Sequence, residues 1–580
     1  MQPVRFNSLF FRRFWVLCGV VLKQRNAALL LLGLLTIAII YEVNAYYVGI
    51  ISGKYYVVLG AHDWYGFWSV TAQSVGIILA IAIVRALRTY VSNLAGVQWR
   101  MILTEDLHRL YFSNRTHYTV NVLEDGLDNP DQRMTQDVDR FCQRIADVLP
   151  AAFIAPFTTA YYTYKCAMIA GWSGPVSAFG FFLIFAVINK FLLSPIVPRV
   201  YEQEKQEGKF RHLHASIRAH SESITFLDGE AVEQVNSNRQ LLNLVRAQTY
   251  VVNRQFPLNI GVHVFDYLGS ILSFLVIAVP IFNGTYDNVK PEDLSGIISN
   301  NAFVTIYLMS CFSSLVDLSG GFSVVCGNTH RIAALRERML KHVQDEDMQA
   351  FLNSCGTSGD DGDKGPLVEL VDVSYNSPRD NEPLIENLTL SLNTNRNVLV
   401  TGPSGSGKTM LLRVIKGLRE ASSGTVKTMK GHSILFMPQV PWLTIGSLRN
   451  QIAYPSLPTY SGNGERDMVQ LLDLAGLDHL LRSAYSLDAE LDAAWYDALS
   501  PGEKQRLSWV RMLHQRPPLA LLDEPTAAVD YELKSRLYEE CAKRAITVVV
   551  VGYQHEMQGW KPEVIITTRQ EDAKQESPTT

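Results

Sequence analysis

The sequence predicts a multidomain fold, in which a polytopic α-helical membrane domain precedes an α/β domain that carries a phosphate-binding loop. Three observations predict it. Long apolar blocks occur only in about the first 330 of the 580 residues, and an acidic, Gly/Ser-rich stretch follows them. The remainder alternates short strand and helix patterns around a glycine-rich loop. A chain of this length is also too long for a single hydrophobic core.

The glycine-rich loop fits the pattern G-x-x-x-x-G-K-[ST] without a gap, and we take all eight of its residues as phosphate ligands: Gly402, Pro403, Ser404, Gly405, Ser406, Gly407, Lys408 and Thr409. An apolar strand pattern precedes it and a helical pattern follows it. The glycines let backbone N–H groups turn towards phosphate oxygens, and the helix N-terminus adds its positive dipole end. Lys408 supplies a charge for the β- and γ-phosphates, and the Thr409 hydroxyl suits Mg²⁺.

Carboxylates follow a second buried-strand pattern, which ends at Asp523 and Glu524. We expect Asp523 to hold Mg²⁺ through water, and Glu524 to act as the catalytic residue that polarises the attacking water. Gln439 follows a third strand pattern and is placed to reach the metal or that water. These residues predict a nucleotide-hydrolysing site.

Two further stretches are candidates for nucleotide contact. Ser500, Gly502 and Glu503 precede a helix, and its N-terminus suits a second phosphate contact. Pro501 lacks an N–H, so one backbone contact is absent there. Tyr375 lies upstream of the loop and is a candidate to stack on adenine, with an ordinary core or surface tyrosine as the alternative.

Six apolar blocks are long enough to cross a bilayer, at 27–49, 64–87, 148–170, 174–197, 262–282 and 301–325. Basic residues concentrate on the two long connections, between the second and third and between the fourth and fifth blocks. The positive-inside rule therefore places those connections, and the basic N-terminal segment 1–26, in the cytosol. That segment is either an interfacial amphipathic turn or a tail.

Composition sets the remaining boundaries. The membrane domain is predicted over 27–342, an acidic Gly/Ser linker over 343–365, the nucleotide domain over 366–566 and a polar tail over 567–580.

The net charge of −4 argues against a nucleic-acid partner. The seven cysteines form no C-x-x-C pair, which argues against a zinc site or a disulfide scaffold. Asn283 stands in a sequon on a predicted outer loop and is a candidate for glycosylation.

The loop, Gln439, the Ser500–Glu503 stretch, Asp523–Glu524 and the run 528–530 occur in the order typical of ABC-transporter nucleotide domains, and the last 200 or so residues resemble that family. The resemblance implies ATP and Mg²⁺ as ligands. It also implies that Ser500 and Gly502 contact the ATP of an opposite subunit. One nucleotide domain with six spans then implies a half-transporter, most simply a homodimer in the membrane lipid.

The membrane half resembles subfamily D of these transporters, through the stretches 99–112 and 129–133. Within it, the chain is similar to the branch of lysosomal cobalamin transporters, over stretches that include 120–122, 157–164, 174–177, 265–273 and 329–332. The resemblance implies cobalamin as cargo, a multi-pass lysosomal location and an LMBD-type membrane escort. The endoplasmic reticulum and the peroxisomal membrane are the alternative locations.

Two functional alternatives stay open. A peroxisomal fatty acyl-CoA transporter would need a cationic pocket, for which the spans offer mainly Lys165 and Lys190. An ATP-liganded membrane scaffold or channel is favoured by Tyr553, which stands where the family has its switch histidine; His555 follows two residues later.

Polar residues in and beside the spans, namely Glu42, Lys165, Lys190, Asp266 and Asp317, either pair between helices or line a transport path. Two stretches of the long connections are candidates to couple the two domains. In the first, Asn129 is predicted to cap a helix that begins at Pro130. In the second, a helix through Glu222 is predicted to end at Gly229.

Overall fold

The computed structural model describes the chain except for residues 1–7, 124–128, 356–365, 378–381, 429–433, 457–461, 493–494, 497, 526–528, 553–561, 563 and 568–580. The chain divides into two compact units, Met1–Ser358 and Gly359–Thr580. The division falls within the predicted linker 343–365.

The first unit is helical. Its α-helices are Ser8–Leu22, Arg25–Gly49, Ile51–Gly60, Trp64–Tyr111, Thr116–Tyr118, Pro130–Gln132, Val138–Ala170, Ser173–Leu193, Val197–Ala219, Ser221–Phe226, Glu230–Phe282 and Pro291–Cys355, with π-helical turns at Thr119–Leu123 and Arg133–Asp137. Several helices run far beyond a bilayer's thickness, which takes roughly 20 residues. The long connections of the sequence are therefore continuations of the membrane helices.

Five helical segments of the described chain are long and apolar enough to cross a membrane: Arg25–Gly60, Trp64–Tyr111, Ser173–Ala219, Glu230–Phe282 and Pro291–Gln344. They contain five of the six predicted spans. The remaining predicted span, 148–170, lies on the helix Val138–Ala170, which does not meet the same measure. Its second half carries threonines, tyrosines and Lys165, so its composition is less apolar than that of the other five.

The N-terminal segment contains a helix, Ser8–Leu22, with two different faces. Phe10 and Leu17 are buried against the rest of the unit, whereas Phe11 and Trp15 are exposed. The Arg13 guanidinium donates hydrogen bonds to both carboxylate oxygens of Glu337, at 3.0 and 2.5 Å. The packed helix agrees with the amphipathic alternative for this segment, and not with a tail.

The first long connection is tied to the last helix of the unit by buried charges. Asn129 precedes the helix that begins at Pro130, as predicted, but it adopts a left-handed conformation and its side chain makes no capping bond. Asp137, almost fully buried, forms an ion pair with Arg331 at 2.6 Å. Arg133 donates to the Arg331 carbonyl at 3.1 Å. Breaking this ion pair would leave the charge of the nearly buried Asp137 unpaired, so the pair helps to fix the geometry of the connection.

The second long connection turns at a short helix, Ser221–Phe226. The prediction that this helix ends at Gly229 was wrong by three residues, because Gly229 instead occupies the cap position of the helix Glu230–Phe282. Phe226 and Leu227, at the turn, are 79% and 81% exposed within the unit. Asn283 lies exposed at the far end of that long helix, at its C-cap.

The predicted linker is partly helical. The helix Pro291–Cys355 continues through the first 13 residues of the stretch 343–365, and the rest of the stretch lies outside the described residues. The run from Gln344 to Asp347 is rich in acidic residues. These residues favour contact with water, but they are compatible with a helix. Composition alone therefore placed the start of the linker too early.

The second unit is an α/β domain with two sheets. Its strands are β1 (Val368–Asn376), β2 (Pro383–Leu392), β3 (Val398–Thr401), β4 (Ser423–Thr428), β5 (Ile434–Met437), β6 (Leu519–Asp523), β7 (Thr547–Val551) and β8 (Val564–Thr567). Its helices are Lys408–Ile415, Leu448–Ala453, Gly462–Leu474, Asp478–Ala484, Pro501–Gln515 and Tyr531–Lys543. Within the described residues, β2-β1-β4 form an antiparallel sheet and β5-β6-β7-β3-β8 a parallel one.

The parallel sheet positions the site. Strands β6 and β7 are buried along their whole length, which explains their continuous apolar sequences. The carboxyl ends of β3, β5 and β6 meet at one edge of the sheet, where ligands bind in open α/β folds. The phosphate-binding loop follows β3 directly, Gln439 lies two residues after β5, and Asp523 is the last residue of β6, with Glu524 next to it.

Candidate active site

The phosphate-binding loop connects β3 to the helix Lys408–Ile415, as its flanking patterns predict. Its three glycines have φ values of 150°, 84° and 89°, which favour residues without a Cβ. A Cβ on Gly407 would also lie 3.0 Å from the Leu384 Cβ. The loop therefore needs glycine for both its conformation and its packing.

Lys408 lies beneath the loop. Its side chain is only 6% exposed, and its ammonium group donates to the carbonyls of Gly402 at 2.9 Å and Pro403 at 2.7 Å. The Ser406 hydroxyl donates to the same Pro403 carbonyl at 2.8 Å. These bonds hold a positive charge at the mouth of a helix N-terminus, where both favour an anion.

Oxygen atoms suited to Mg²⁺ converge beside the loop. The Thr409 hydroxyl donates to the Asp523 carboxylate at 3.0 Å, so residues 114 positions apart meet as the sequence predicts. Burial raises the pKa of Asp523, and the Thr409 hydrogen bond opposes that shift while the charge of Glu524 adds to it. The Thr409 hydroxyl and the Asp523 carboxylate are hard oxygen donors that fit Mg²⁺, and Gln439, whose amide nitrogen bonds the neighbouring Glu524, carries a further amide oxygen.

Glu524, the predicted catalytic residue, is held at its backbone and at its side chain. Its φ of 44° is unusual for a non-glycine residue, and its N–H donates to the Val551 carbonyl at 3.0 Å. The Gln439 amide donates to its carboxylate at 2.7 Å. A turned backbone at a strand end directs this carboxylate out of the sheet, where a general base must lie.

Gln505 is a positioning residue to which the sequence pattern assigns no role. Its amide donates to the backbone carbonyl of Glu524 at 3.0 Å, and its side chain is 4% exposed. It lies on the helix Pro501–Gln515, about one turn beyond Gly502. A polar residue on the buried face of an amphipathic helix is the signal that identifies such a position.

The Ser500 stretch forms the N-terminus of the helix Pro501–Gln515 through a capping box. The Ser500 hydroxyl accepts from the Glu503 N–H, and the Glu503 carboxylate accepts from the Ser500 N–H at 2.8 Å and hydroxyl at 2.7 Å. His479 also bonds this carboxylate, at 2.7 Å. The Ser500 hydrogen bonds, followed by that of His479, lower the pKa of Glu503 to about 2.

Tyr375 does not occupy the place predicted for an adenine-stacking residue. Its ring is 2% exposed and packs in the core between the two sheets. Its hydroxyl donates to the Gly407 carbonyl at 3.1 Å. A buried ring cannot offer a face to a base, so the alternative interpretation as a core tyrosine is the one that fits.

Other predicted residues lie partly outside the described chain. Ala528, Tyr553 and His555 are among them, so the assignment of the switch residue stays a prediction. Asp530 is described, and its carboxylate caps the helix Tyr531–Lys543 by accepting from the Leu533 N–H at 2.9 Å.

Comparison with known proteins gives the two units separate matches. Residues 17–282 match the model of the ABC transporter transmembrane region 2, and residues 385–527 match the ABC transporter family model. The Lysosomal cobalamin transporter ABCD4 of Homo sapiens is 41% identical over 96% of this chain and 94% of its own. The protein of the same name from Mus musculus is 42% identical over 95% and 92%.

This chain belongs to the D family of ABC transporters. More distant members match it too: ATP-binding cassette sub-family D member 3 of Mus musculus is 27% identical over 83% of this chain and 75% of its own. The membership confirms the predicted arrangement of a helical transmembrane region followed by an ABC ATPase domain. The chain is thus a multi-pass membrane protein whose ATPase activity is coupled to transport.

Proposed function

We propose that this chain forms an ATP-driven exporter that moves cobalamin from the lysosome lumen to the cytosol. The proposal that ATP drives transport rests on one observation: Lys408, Thr409, Asp523 and Glu524 lie together at one edge of the parallel sheet. The cargo is supported by the names of the two mammalian relatives that are 41% and 42% identical over nearly the whole chain.

The described residues support a hydrolysis step at this edge. The loop N–H groups and Lys408 bind the β- and γ-phosphates of ATP. Thr409, Asp523 and Gln439 would hold Mg²⁺, which neutralises phosphate charge when bound. Glu524 accepts a proton from the attacking water as its oxygen bonds to the γ-phosphorus, and the bond to the ADP oxygen breaks. Gln439 and Gln505 keep Glu524 in place for that transfer.

The functional unit in this proposal is a homodimer. One nucleotide unit supplies the loop and Glu524, whereas the capped helix at Ser500 and Gly502 would face the ATP held by a second copy. The capping box supports this role because it fixes the helix N-terminus, where the partial positive charge lies. Sedimentation of the purified chain with Mg-ATP tests it, and a monomer at all concentrations would contradict it.

Coupling between the units is proposed to involve the stretches around Asn129 and Glu222. In the second stretch, two large apolar residues, Phe226 and Leu227, are exposed at the end of long helices. Exposed apolar side chains at a loop tip are typical of surfaces that contact another protein element. Phe226→Ala should lower cargo transport while ATP binding persists, with Val232→Ala on the adjoining helix as the control.

The decisive test is transport by vesicles reconstituted with the purified chain. Radiolabelled cyanocobalamin should move with ATP and not without it, whereas labelled acyl-CoA should not move. Transport of acyl-CoA instead would favour the peroxisomal-type alternative, and ATP binding with no turnover would favour a scaffold or channel. Lysosomal residence and an LMBD-type escort belong to the same proposal, and co-purification of an escort with the tagged chain from lysosomes tests both.

A further inference from the structure

A polar and aromatic cluster lies inside the membrane unit, away from the nucleotide site. The Tyr307 hydroxyl donates to the Glu42 carboxylate at 2.8 Å, although the two residues are 265 positions apart. The Tyr162 ring stacks on the Tyr307 ring, with centroids 4.3 Å apart. Ionisable groups are expensive within membrane helices and mark functional paths more often than structural ones.

A cavity of about 530 Å³ adjoins this cluster. Tyr307 forms part of its wall, together with Tyr41, Phe303 and the hydroxyl-bearing Ser52 and Ser299. Its volume lies in the range of small-molecule sites, which are mostly apolar with a few polar groups that orient the ligand. The cavity is therefore large enough to admit part of a bulky cargo.

A second observation shows that hydrogen bonding in the cluster is incomplete. The Tyr162 side chain is 1% exposed, and its hydroxyl has no hydrogen-bond partner among the described residues. A buried hydroxyl without a partner is costly and calls for an explanation. Tyr162 is not part of the cavity wall, but its ring stacks on the ring of Tyr307, which is. Mutual pairing of the helices would account for the Glu42–Tyr307 bond, but it leaves both this hydroxyl and the cavity unexplained.

The direction of the Tyr307 hydrogen bond limits what the cavity can bind. The phenolic proton is donated to Glu42, so the Tyr307 oxygen can only accept hydrogen bonds from a cavity occupant. We propose that this cavity is a cargo subsite in which Tyr307 accepts a hydrogen bond from an amide N–H of the cargo, with Glu42 as the residue that orients the tyrosine hydroxyl.

Cobalamin fits this chemistry because its corrin ring carries primary amides around an apolar face. The amides supply donors for Tyr307, and the rings of Tyr41 and Phe303 supply apolar contact. The Arg88 guanidinium lies 5.4 Å from the centre of the Tyr41 ring, but Arg88 itself is not part of the cavity wall. The adjacent Glu42 carboxylate disfavours a polyanion such as acyl-CoA. This inference rests on the proposed cargo.

Four versions of the chain test the subsite. Tyr307→Phe removes only the accepting oxygen and keeps the ring stack. Glu42→Gln keeps an acceptor for the Tyr307 proton, whereas Glu42→Leu removes it. Tyr47→Phe is the matched control, since Tyr47 lies on the same helix as Glu42 and is 48% exposed. Each is measured for uptake of cyanocobalamin into vesicles loaded with ATP, where molecules whose nucleotide unit faces the vesicle interior drive inward movement, for cyanocobalamin binding to the detergent-solubilised chain, and for basal ATPase rate.

We expect Tyr307→Phe to raise the half-saturating cyanocobalamin concentration about 10-fold, the effect of about one lost hydrogen bond. Glu42→Leu should have a similar or smaller effect, Glu42→Gln should restore most of the affinity, and Tyr47→Phe should match the parent. Basal ATPase rates should be equal in all of them, which shows that each variant is folded.

The outcomes separate this inference from the proposed function. Parent-like affinity in Tyr307→Phe, with normal uptake by the parent, would overturn the subsite and leave cobalamin transport intact. Failure of the parent to move cyanocobalamin would overturn the proposed function, and the binding measurement then decides the subsite. Binding that Tyr307→Phe weakens and Tyr47→Phe does not would support the subsite, and absence of binding would reject it.

Discussion

The two units bring their functional residues together in different ways. In the nucleotide unit, eight consecutive residues and the ends of two neighbouring strands form the site, so local conformation determines most of its geometry. In the membrane unit, the pair Glu42–Tyr307 joins the first span to the last. A site built on strand ends can be recognised from a short motif, whereas one built between packed helices depends on how distant segments pack.

The largest effect should come from Lys408→Ala, which tests whether transport depends on the nucleotide site. It removes the only side-chain charge within the loop sequence, and we expect ATPase activity to fall on the order of 100-fold or more. Uptake of cargo should be lost with it. Lys427→Ala is the control, because Lys427 is exposed and pairs with Glu369 at the surface. Unchanged uptake by Lys408→Ala would separate transport from ATP altogether.

Glu524→Gln should have the next largest effect. It replaces the general base by an amide of nearly equal size, and we expect hydrolysis to slow by about 10²–10⁴-fold while ATP still binds. Glu539→Gln, an exposed carboxylate of the same unit, is the control. Phosphate release and retention of radiolabelled ATP measure the two effects. Equal hydrolysis rates in parent and Glu524→Gln would show that Glu524 is not the base and would favour the scaffold alternative.

The sequence predicted which residues lie together at this sheet edge, because glycine, lysine and carboxylate positions follow from chain geometry. It placed Thr409 beside Asp523 and Gln439 beside Glu524 without knowledge of the packing. It missed the role of Gln505, whose partner is a backbone carbonyl, and a sequence does not show where such a carbonyl points. It also offered Tyr375 as a base-stacking residue, although strand alternation buries that ring.

In the membrane unit, composition identified most spans but not the contacts between them. Glu42 stood out as an acid in an apolar block, yet nothing in the sequence paired it with Tyr307 among 25 tyrosines. The helix Val138–Ala170 shows the same limit, because its threonines and Lys165 make it less apolar than its neighbours. Packing between helices determines both the partner of Glu42 and the place of the helix Val138–Ala170, and hydropathy contains no information about that packing.

Tyr375→Phe should have a smaller effect, on stability. It tests, within the nucleotide unit, whether a residue serves packing or nucleotide binding. It removes the hydroxyl that donates to the Gly407 carbonyl, and we expect the free energy of unfolding to fall by about 1 kcal/mol. Tyr375→Leu should destabilise the unit further without weakening ATP binding in the protein that remains folded. Thermal unfolding and ATP titration measure these effects. A large loss of ATP affinity in Tyr375→Leu, with parent-like stability, would restore the adenine-stacking role.

Glu503→Gln should have the smallest effect, and the size of that effect depends on pH. The pKa of Glu503 is depressed to about 2 from an ordinary 4.5, so its ionised cap stabilises the folded unit above pH 4.5 and is lost as the pH falls towards 2. At neutral pH we expect Glu503→Gln to cost about 1 kcal/mol, or about 2–4 °C of melting temperature.

That difference between parent and Glu503→Gln should shrink as unfolding is measured at successively lower pH between 4.5 and 2. Glu539→Gln serves again as the exposed control and should show no such trend. A pH-independent gap would mean that the amide's altered shape, and not the lost charge, destabilises the helix Pro501–Gln515. The helix N-terminus at Ser500 would then depend on packing, as the Glu42–Tyr307 pair does. The two units would differ less in how their functional residues are positioned than the sequence motifs indicate.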